Sequence, residues 1–306
     1  TNMIVQSFAV SGGNLFAGTN GGVFLSANSG ANWTAANTGL TNVITALAVS
    51  GGNLFAGTNG FGVFVSTNSG TSWAPANAVE FPDIHALAVN GSSLFAGTSG
   101  GAYVSTNGGA NWTAINTGLK ATIVNALAFS GSFLFAGTNG GGILVSGDNG
   151  TSWSRVSTGP GYPYIYSLLV SGSNIIAGSY YGVYLSPNSG SSWTFTGTGL
   201  TAYVVALAVS GSNLFAGTFN GVYLSTDGGA SWNLVNNGLG NLDVRALAVS
   251  GSNLFAGTQG GVFVSANSGT NWTAVNNGLT NPYVHALAAS GSNLFAGTYG
   301  GTFVST

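Results

Sequence analysis

Apolar residues along this chain form short runs that are separated by Gly, Ser, Asn and Thr. One run, Leu-Phe-Ala-Gly, recurs about every forty residues, with the variant Ile175-Ile176-Ala177-Gly178, and the regular copies begin at Leu15, Leu54, Leu94, Leu134, Leu214, Leu254 and Leu294. Tryptophan recurs at a similar spacing, at Trp33, Trp73, Trp112, Trp153, Trp193, Trp232 and Trp272. A period near forty that is filled with strand-like segments is typical of a β-propeller, in which each repeat is one small sheet.

Each repeat divides into four predicted strands, called a to d. In the sixth repeat, strand a covers Val204–Val209, strand b Asn213–Gly217 and strand c Val222–Ser225, and strand d begins at Trp232. The strands are nearly continuous apolar runs, as expected when neighbouring blades cover both faces of a sheet. No segment has a helical pattern, so the sequence predicts an all-β fold.

The number of repeats predicts a single propeller domain over residues 1–306 with about eight four-stranded blades. The approximate repeats are 3–40, 42–80, 82–120, 122–160, 163–200, 202–240, 242–280 and 282–306. The last repeat has segments for strands a, b and c, so either the final blade has three strands or the chain is trimmed. A seven-bladed ring is the alternative, but it leaves one triplet of strands with exposed apolar surface. The open final blade is also a predicted route to oligomers, because its edge can accept a strand from a partner.

Charge is scarce, with three Lys and Arg against five Asp and Glu. A net charge of −2 offers nothing to a phosphate backbone, so nucleic acid is not a predicted partner. The apolar runs are far shorter than a membrane span. Cysteine is absent, which excludes disulfides and thiolate metal sites, and no cofactor or metal is predicted. The uncharged polar composition favours a secreted or cell-surface protein.

The turn between strands c and d carries a recurrent motif. It reads Ser225-Thr226-Asp227-Gly228-Gly229-Ala230-Ser231-Trp232 in one repeat, and Asp148 with Trp153 occupies the same positions in another. This turn resembles the Asp-box of sialidases and other BNR-repeat propellers across essentially the whole chain. Five repeats depart from the motif because Asn replaces Asp, at Asn28, Asn68, Asn107, Asn188 and Asn267. The Asx side chain is predicted to bond turn amides, and Asp148, Trp153, Asp227 and Trp232 are assigned structural roles.

The repeats are so alike that the positions where they differ stand out. Just before the Ala-Leu-Ala-Val strand, the repeats carry Gln6, Thr45, His85, Asn125, Tyr166, Val205, Arg245 and His285. Two residues earlier they carry Ile4, Val43, Asp83, Ile123, Tyr164, Tyr203, Asp243 and Tyr283. After Ala-Gly-Thr or Ala-Gly-Ser they carry Asn20, Asn59, Ser99, Asn139, Tyr180, Phe219, Gln259 and Tyr299. In an antiparallel blade, the d–a and b–c connections lie on the same face of the disc, so all three sets are predicted to share one face.

This variable face is the predicted binding face, because recognition residues concentrate on loops that a rigid scaffold supports. Neutral drift in exposed turns is the alternative. Against drift, the variable residues are rich in Tyr, Phe, His and Arg, which anchor interfaces and stack on sugar rings. The candidate ligand-binding residues are Asp83, His85, Tyr164, Tyr166, Tyr180, Tyr181, Tyr203, Phe219, Asp243, Arg245, Tyr283, His285 and Tyr299.

Three functions fit these features. The first is non-catalytic, lectin-like recognition of a glycan or a protein on the variable face, with glycan ahead of protein. The second is a structural or assembly docking disc, as in the photosystem-assembly propellers that this repeat resembles. The third, less favoured, is a glycoside hydrolase, which the likeness to sialidases implies.

The residue inventory opposes the hydrolase. A sialidase-like site needs three arginines, whereas this chain has Arg155 and Arg245, and Arg155 falls on a strand d. A carboxylate pair must stand roughly 5–10 Å apart. Asp83 and Asp243 fall on blades three and seven, across the ring from each other, with Glu80 as a spare. No enzymatic activity is predicted.

Overall fold

The fold is a ring of eight antiparallel sheets. The computed structural model describes residues 3–76, 83–119, 123–156, 164–197, 199–200 and 202–305, and all regular structure within these ranges is β-strand. Seven sheets have four strands in the order a-b-c-d, and the eighth has three. The predicted all-β propeller with eight blades is therefore confirmed, including the three-stranded final blade.

The strands a are β1 (Val5–Ser11), β5 (Ile44–Ser50), β9 (Ile84–Asn90), β13 (Val124–Ser130), β17 (Ile165–Ser171), β21 (Val204–Ser210), β25 (Val244–Ser250) and β29 (Val284–Ser290). The strands b are β2 (Asn14–Thr19), β6 (Asn53–Thr58), β10 (Ser93–Thr98), β14 (Phe133–Thr138), β18 (Asn174–Ser179), β22 (Asn213–Thr218), β26 (Asn253–Thr258) and β30 (Asn293–Thr298). The strands c are β3 (Gly22–Ser26), β7 (Val63–Ser66), β11 (Gly101–Ser105), β15 (Gly142–Ser146), β19 (Gly182–Ser186), β23 (Gly221–Ser225), β27 (Gly261–Ser265) and β31 (Gly301–Ser305). The strands d are β4 (Thr34–Ala35), β8 (Ala74–Pro75), β12 (Thr113–Ala114), β16 (Ser154–Arg155), β20 (Thr194–Phe195), β24 (Asn233–Leu234) and β28 (Thr273–Ala274).

The glycine of each strand b explains how closely the blades pack. A Cβ built on Gly57 would lie 2.5 Å from Ile84 Cγ2, at the start of the next blade. The same contact closes the ring, because a Cβ on Gly297 of blade 8 would lie 2.7 Å from the Cβ of Val5 in blade 1. Only a residue without a side chain allows this approach of adjacent sheets.

Among the described residues the hydrophobic core forms seven clusters, one between each pair of consecutive blades from 1–2 to 7–8. Between blades 1 and 2, Phe16, Ile44, Leu54 and Trp73 are all buried in one cluster. The indole Nε1 of Trp73 donates a hydrogen bond of 2.7 Å to the carbonyl of Ala36, which follows strand d of the preceding blade. Trp112, Trp153 and Trp272 donate in the same way, so at these four positions the tryptophan joins its blade to the previous one through both apolar contact and a hydrogen bond.

Strand d is shorter than predicted and begins later. Trp232 precedes β24, which covers only Asn233–Leu234. The reason is that the backbone N–H of this tryptophan position bonds outside its own sheet. In blade 2, the Trp73 N–H donates to the Thr38 carbonyl of blade 1, at 2.8 Å.

Strands c and d pair through only two residues each, and side-chain hydrogen bonds stabilise the hairpin that connects them. In blade 6, the Asp227 carboxylate accepts bonds from Ser225 Oγ at 2.7 Å and from the Ser231 N–H at 3.0 Å. The Gly229 N–H donates to Ser225 Oγ, and Gly229 has φ 98°. Asn28 accepts the same two bonds in blade 1, at 3.0 and 2.9 Å. The carbonyl oxygen of Asn therefore reproduces this part of the Asp geometry.

Candidate functional site

The d–a connection and the b–c turn lie side by side in each blade. In blade 5 the Tyr180 N–H donates to the Tyr164 carbonyl at 3.1 Å, and in blade 8 the Tyr299 N–H donates to the Tyr283 carbonyl at 3.1 Å. The corresponding bond in blade 7 joins Gln259 and Asp243 at 3.2 Å. The variable positions of these blades are therefore adjacent on one face of the disc.

The most variable position is the extra residue of a β-bulge. In every blade the a–b register shifts after the first residue of strand a, which leaves one residue outside the pairing: Gln6, Thr45, His85, Asn125, Tyr166, Val205, Arg245 or His285. A bulge of this kind re-aims its side chain. Thr45 Oγ1 donates to the Ile84 carbonyl at 2.6 Å, and Asn125 Nδ2 donates to the Ile165 carbonyl at 2.9 Å. These bulge side chains reach the next blade.

Three aromatic rings stack between blades 5 and 6. Tyr203 lies between Tyr166, with ring centroids 4.3 Å apart, and Phe219, with centroids 4.9 Å apart. Burial raises the pKa of Tyr203, and its side-chain hydrogen bond with Tyr166 raises it further. Tyr203 is therefore a neutral phenol at pH 7 whose two faces are already covered. Tyr203 supports the surface, and its neighbours form the exposed part.

The exposed part is a cavity of about 690 Å³ lined by Tyr180, Tyr181, Ala202, Tyr203, Phe219 and Asn220. Tyr180 and Tyr181 are 50% and 60% exposed, and their rings meet edge to face at 5.0 Å. Tyr180 also meets Tyr203 edge to face at 5.4 Å. Two phenol rings with free surface thus stand beside an apolar floor and an amide side chain. This combination suits a ligand with one apolar face and hydroxyl groups at its edge.

A polar cluster continues the surface onto blade 7. The guanidinium of Arg245 lies 4.4 Å from the ring centroid of Phe219. It also pairs with Asp243 through two contacts, Nε to Oδ1 at 2.6 Å and Nη2 to Oδ2 at 2.9 Å. Gln259 donates a further hydrogen bond to Asp243 Oδ2. Asp243 and Arg245 therefore form an ion pair, which orients the cation against an aromatic ring.

Blade 8 completes the surface. His285 meets Tyr299 edge to face at 4.4 Å, and Tyr299 lies 5.3 Å from Tyr283. Burial lowers the pKa of His285, and the positive charge of Arg245 lowers it further, while Asp243 opposes both effects. A neutral imidazole at pH 7 follows. We call the surface over blades 5–8 the aromatic arc, and its residues are Tyr166, Tyr180, Tyr181, Tyr203, Phe219, Asp243, Arg245, Tyr283, His285 and Tyr299.

Three candidate residues on the variable face lie outside the arc. Tyr164 is exposed on blade 5, where a Cβ on Gly140 of blade 4 would lie 4.0 Å from its ring. Asp83 and His85 lie on blade 3, where His85 Nε2 bonds Ser99 Oγ at 2.9 Å. Burial lowers the pKa of His85, and Asp83 opposes that shift. Blade 4 separates this pair from the arc, and Glu80 lies outside the described residues.

Asp148 and Asp227 belong to c–d hairpins, as do Trp153 and Trp232. Ser152 and Ser146 donate to the Asp148 carboxylate and lower its pKa to about 2. Ser231 lowers the pKa of Asp227 in the same way. Both carboxylates are therefore occupied by bonds within their own turns.

Sequence reasoning missed three residues of the site. Ala202 and Asn220 line the cavity, and Gln259 bonds Asp243. Asn220 and Gln259 occupy the b–c turns that the sequence had marked as variable, which was the available signal. Nothing in the sequence marks Ala202 as a site residue, because an alanine contributes only its small size to the cavity.

Among the described residues no group of three or more His, Cys, Asp or Glu side chains is placed to hold a metal ion. Within the same ranges no helix is long and apolar enough to cross a membrane.

Comparison with protein-family models and with curated protein sequences found no match. Solved structures do match. The extracellular domain of the one-component system BT4673 from B. thetaiotaomicron has a TM-score of 0.66 at 18% identity, over 99% of this chain and 38% of that one. A GH74 xyloglucanase from Xanthomonas campestris has a TM-score of 0.66 at 18% identity, over 96% of this chain and 58% of that one. YCF48 bound to a D1 peptide has a TM-score of 0.56 at 16% identity, over 70% and 75% of the two chains.

At these identities the likeness concerns the fold alone. This chain spans less than two thirds of the first two proteins, and the three proteins are an extracellular domain of a one-component system, a xyloglucanase and a peptide complex. The propeller therefore does not select a function, which must be argued from the site.

Proposed function

We propose that this protein is a non-catalytic, lectin-like propeller that binds a glycan on the aromatic arc, with the cavity at Tyr180 and Tyr181 as the primary subsite. The proposal rests on one observation: the two exposed rings lie beside Tyr203, which is itself stacked against two other aromatic rings. Tyr203 is held between Tyr166 and Phe219, so the support is ordered before a ligand arrives. An ordered support reduces the entropy lost on binding.

The chemistry of the cavity favours a sugar. A pyranose ring has an apolar face that stacks on a phenol, and hydroxyl groups at its rim. Here the exposed faces of Tyr180 and Tyr181 provide the stacking surface, and Asn220 offers an amide donor and acceptor beside it. The cavity contains no charged side chain in its lining, so the preferred glycan is neutral.

The carboxylates of the variable face support a non-catalytic role. Glycosidases need a pair of carboxyl groups flanking one bond. Asp243 is engaged by both Arg245 and Gln259, and Asp83 lies four blades away on blade 3. The likeness to the GH74 xyloglucanase concerns the scaffold, and we assign no hydrolytic step to these residues.

Two further assignments rest on similar support. The Ser-x-Asx-x-Gly hairpins, which recur with the same hydrogen bonds, support membership of the Asp-box propellers. A secreted or cell-surface location is supported by the uncharged surface and by the extracellular domain among the similar structures.

The test is a glycan-array screen of the wild-type protein and of a Tyr180→Ala, Tyr181→Ala double variant. Phe61→Ala is the matched control, because Phe61 is 63% exposed on the b–c turn of blade 2, on the same face but away from the arc. We expect binding to neutral glycans that the double variant loses and the control keeps. Absence of binding to any glycan would overturn the proposal. Peptide binding at the arc would then favour the protein-docking alternative.

A further inference from the structure

The aromatic arc ends on blade 8 in a second pair of exposed tyrosines. The rings of Tyr283 and Tyr299 are exposed, and their centroids lie 5.3 Å apart. The pair formed by Tyr180 and Tyr181 on blade 5 is similar, with a centroid distance of 5.0 Å. Blades 6 and 7 stand between the two pairs. The arc therefore presents free aromatic surface at both of its ends.

Each pair is supported by a partly buried ring. Tyr180 meets Tyr203 edge to face at 5.4 Å, and Tyr299 meets His285 edge to face at 4.4 Å. Burial disfavours the charged form of both supports, because it raises the pKa of Tyr203 and lowers the pKa of His285. A ring that is already packed loses little side-chain entropy when a ligand binds beside it. The two ends of the arc are thus built in the same way.

The blade itself does not require tyrosine at these two positions. Where blade 8 carries Tyr283 and Tyr299, blade 2 carries Val43 and Asn59. The backbone is nevertheless the same, since the Asn59 N–H donates to the Val43 carbonyl at 3.1 Å and the Tyr299 N–H donates to the Tyr283 carbonyl at 3.1 Å. Exposed aromatic rings that the fold does not need are typical of a binding surface.

The surface between the two pairs is continuous. Phe219 of blade 6 is exposed, and the Arg245 guanidinium of blade 7 lies 4.4 Å from its ring centroid. After burial, the charge of Arg245 is the next cause of the lowered pKa of His285, so the guanidinium also lies near blade 8. Among the described residues, Asp243 alone accepts from this guanidinium, through Nε and Nη2. The N–H donors of Nη1 are left for an oxygen of a ligand.

The separation of the two pairs sets the size of a ligand that contacts both. Packed sheets lie roughly 10 Å apart, so pairs that are three blades apart are separated by a distance on the order of 20 Å. One or two sugar rings cannot reach from one pair to the other, whereas a chain of several sugar units can. The charge of Arg245 is balanced by Asp243, so the surface as a whole suits an uncharged chain.

We propose that Tyr283 and Tyr299 form a second sugar subsite, and that the ligand of the arc is a neutral, linear oligosaccharide long enough to reach from blade 5 to blade 8. This inference rests on the proposed glycan-binding function and specifies its ligand. Sugar rings stack on the tyrosine pairs at both ends, and Arg245 donates to a hydroxyl oxygen between them. A long chain binds more tightly than a short one, because the second contact forms within the complex.

The test is isothermal titration calorimetry of the 306-residue protein with four neutral series, the cello-, xylo-, manno- and malto-oligosaccharides. Each series is measured as the disaccharide and as the hexasaccharide. In at least one series, we expect the hexasaccharide to bind at least about 30-fold more tightly than the disaccharide. This gain exceeds the one that arises because a longer chain can occupy a single subsite in several positions.

The repeats supply a variant that the fold accepts. Tyr283→Val combined with Tyr299→Asn gives blade 8 the residues that blade 2 carries at the same positions. In this double variant we expect the ratio of hexasaccharide to disaccharide affinity to fall below about fivefold, because only one subsite remains. Phe61→Ala is the control, since Phe61 is exposed on the same face but lies on blade 2, and it should keep the wild-type ratio.

Two results would overturn this inference and leave the primary subsite in place: equal affinities of the wild-type protein for a disaccharide and its hexasaccharide, or a double variant that keeps the advantage of the longer chain. Failure of all four series to bind would overturn it as well. A hit on the glycan array that depends on Tyr180 and Tyr181 would then show that the primary subsite stands alone.

Discussion

The tryptophans between blades provide a quantitative test of the packing, because two of them differ in one hydrogen bond. Trp153 is 5% exposed, and its Nε1 donates to the buried carbonyl of Ile115 at 2.6 Å. Trp232 is 3% exposed, but its Nε1 is buried without a partner in the described parts of the chain. Replacing each with Phe removes similar volume from an equivalent site, so the two variants isolate the hydrogen bond.

The magnitudes follow from this difference. The smaller ring leaves a gap in both variants, which costs about 1–2 kcal/mol of unfolding free energy. Trp153→Phe also leaves the Ile115 carbonyl unsatisfied, at a further cost of about 1–3 kcal/mol, whereas Trp232→Phe removes an already unsatisfied donor. We therefore expect Trp153→Phe to destabilise the protein by about 1–3 kcal/mol more than Trp232→Phe does.

Urea unfolding followed by circular dichroism measures this difference as a shift in midpoint between the two variants. Because the repeats need not unfold as one unit, hydrogen exchange of the flanking strands should accompany the titration. Equal midpoints, or a lower midpoint for Trp232→Phe, would refute the role assigned to the indole hydrogen bond.

Three further changes test other parts of the structure. Asp148→Asn should leave the thermal midpoint nearly unchanged, since Asn fills this position in five hairpins, whereas Asp148→Ala should lower it. The stabilisation from the ionised Asp148 should be present above the ordinary pKa near 4 and lost as the pH falls through about 2. In an NMR titration, the pKa of His285 should lie below about 6.5, and Asp243→Asn should lower it further, because Asp243 raises it. Stability linked to the neutral His285 should decline as the pH falls below about 6.5. Gly257→Ala should destabilise the ring by about 1–3 kcal/mol, because the new Cβ would lie 2.6 Å from Val284 Cγ1, and adding Val284→Ala should recover part of the loss.

The fold was predictable because every repeat has the same pattern of apolar strands and polar turns, and therefore forms the same blade. The Ala-Gly pair recurs in strand b, and the close approach of Gly57 to Ile84 explains why a small residue is needed there. The sharing of one face by the d–a and b–c connections follows from antiparallel order alone, so the position of the variable residues was also predictable. The exact start of strand d was not, because the Trp73 N–H bonds the neighbouring blade and not its own sheet.

The candidate site was predictable in composition and not in arrangement. The sequence marks Tyr203 and Phe219 as aromatic, but it does not reveal that Tyr203 is covered on both faces and therefore serves as support. The contact of Arg245 with Phe219 joins blades 6 and 7, and it depends on a bulge that the repeat pattern does not announce. Side-chain contacts between repeats depend on the distance between adjacent blades, and the sequence period does not give that distance.

The most direct test of the recognition surface is isothermal titration calorimetry with the best array ligand. The account predicts that Tyr181→Ala weakens binding by at least about 10-fold, since truncating an aromatic hot-spot residue typically costs about 2 kcal/mol or more, while Phe61→Ala changes it less than twofold. Equal affinities for Tyr181→Ala and the wild-type protein would place the ligand elsewhere and contradict the account.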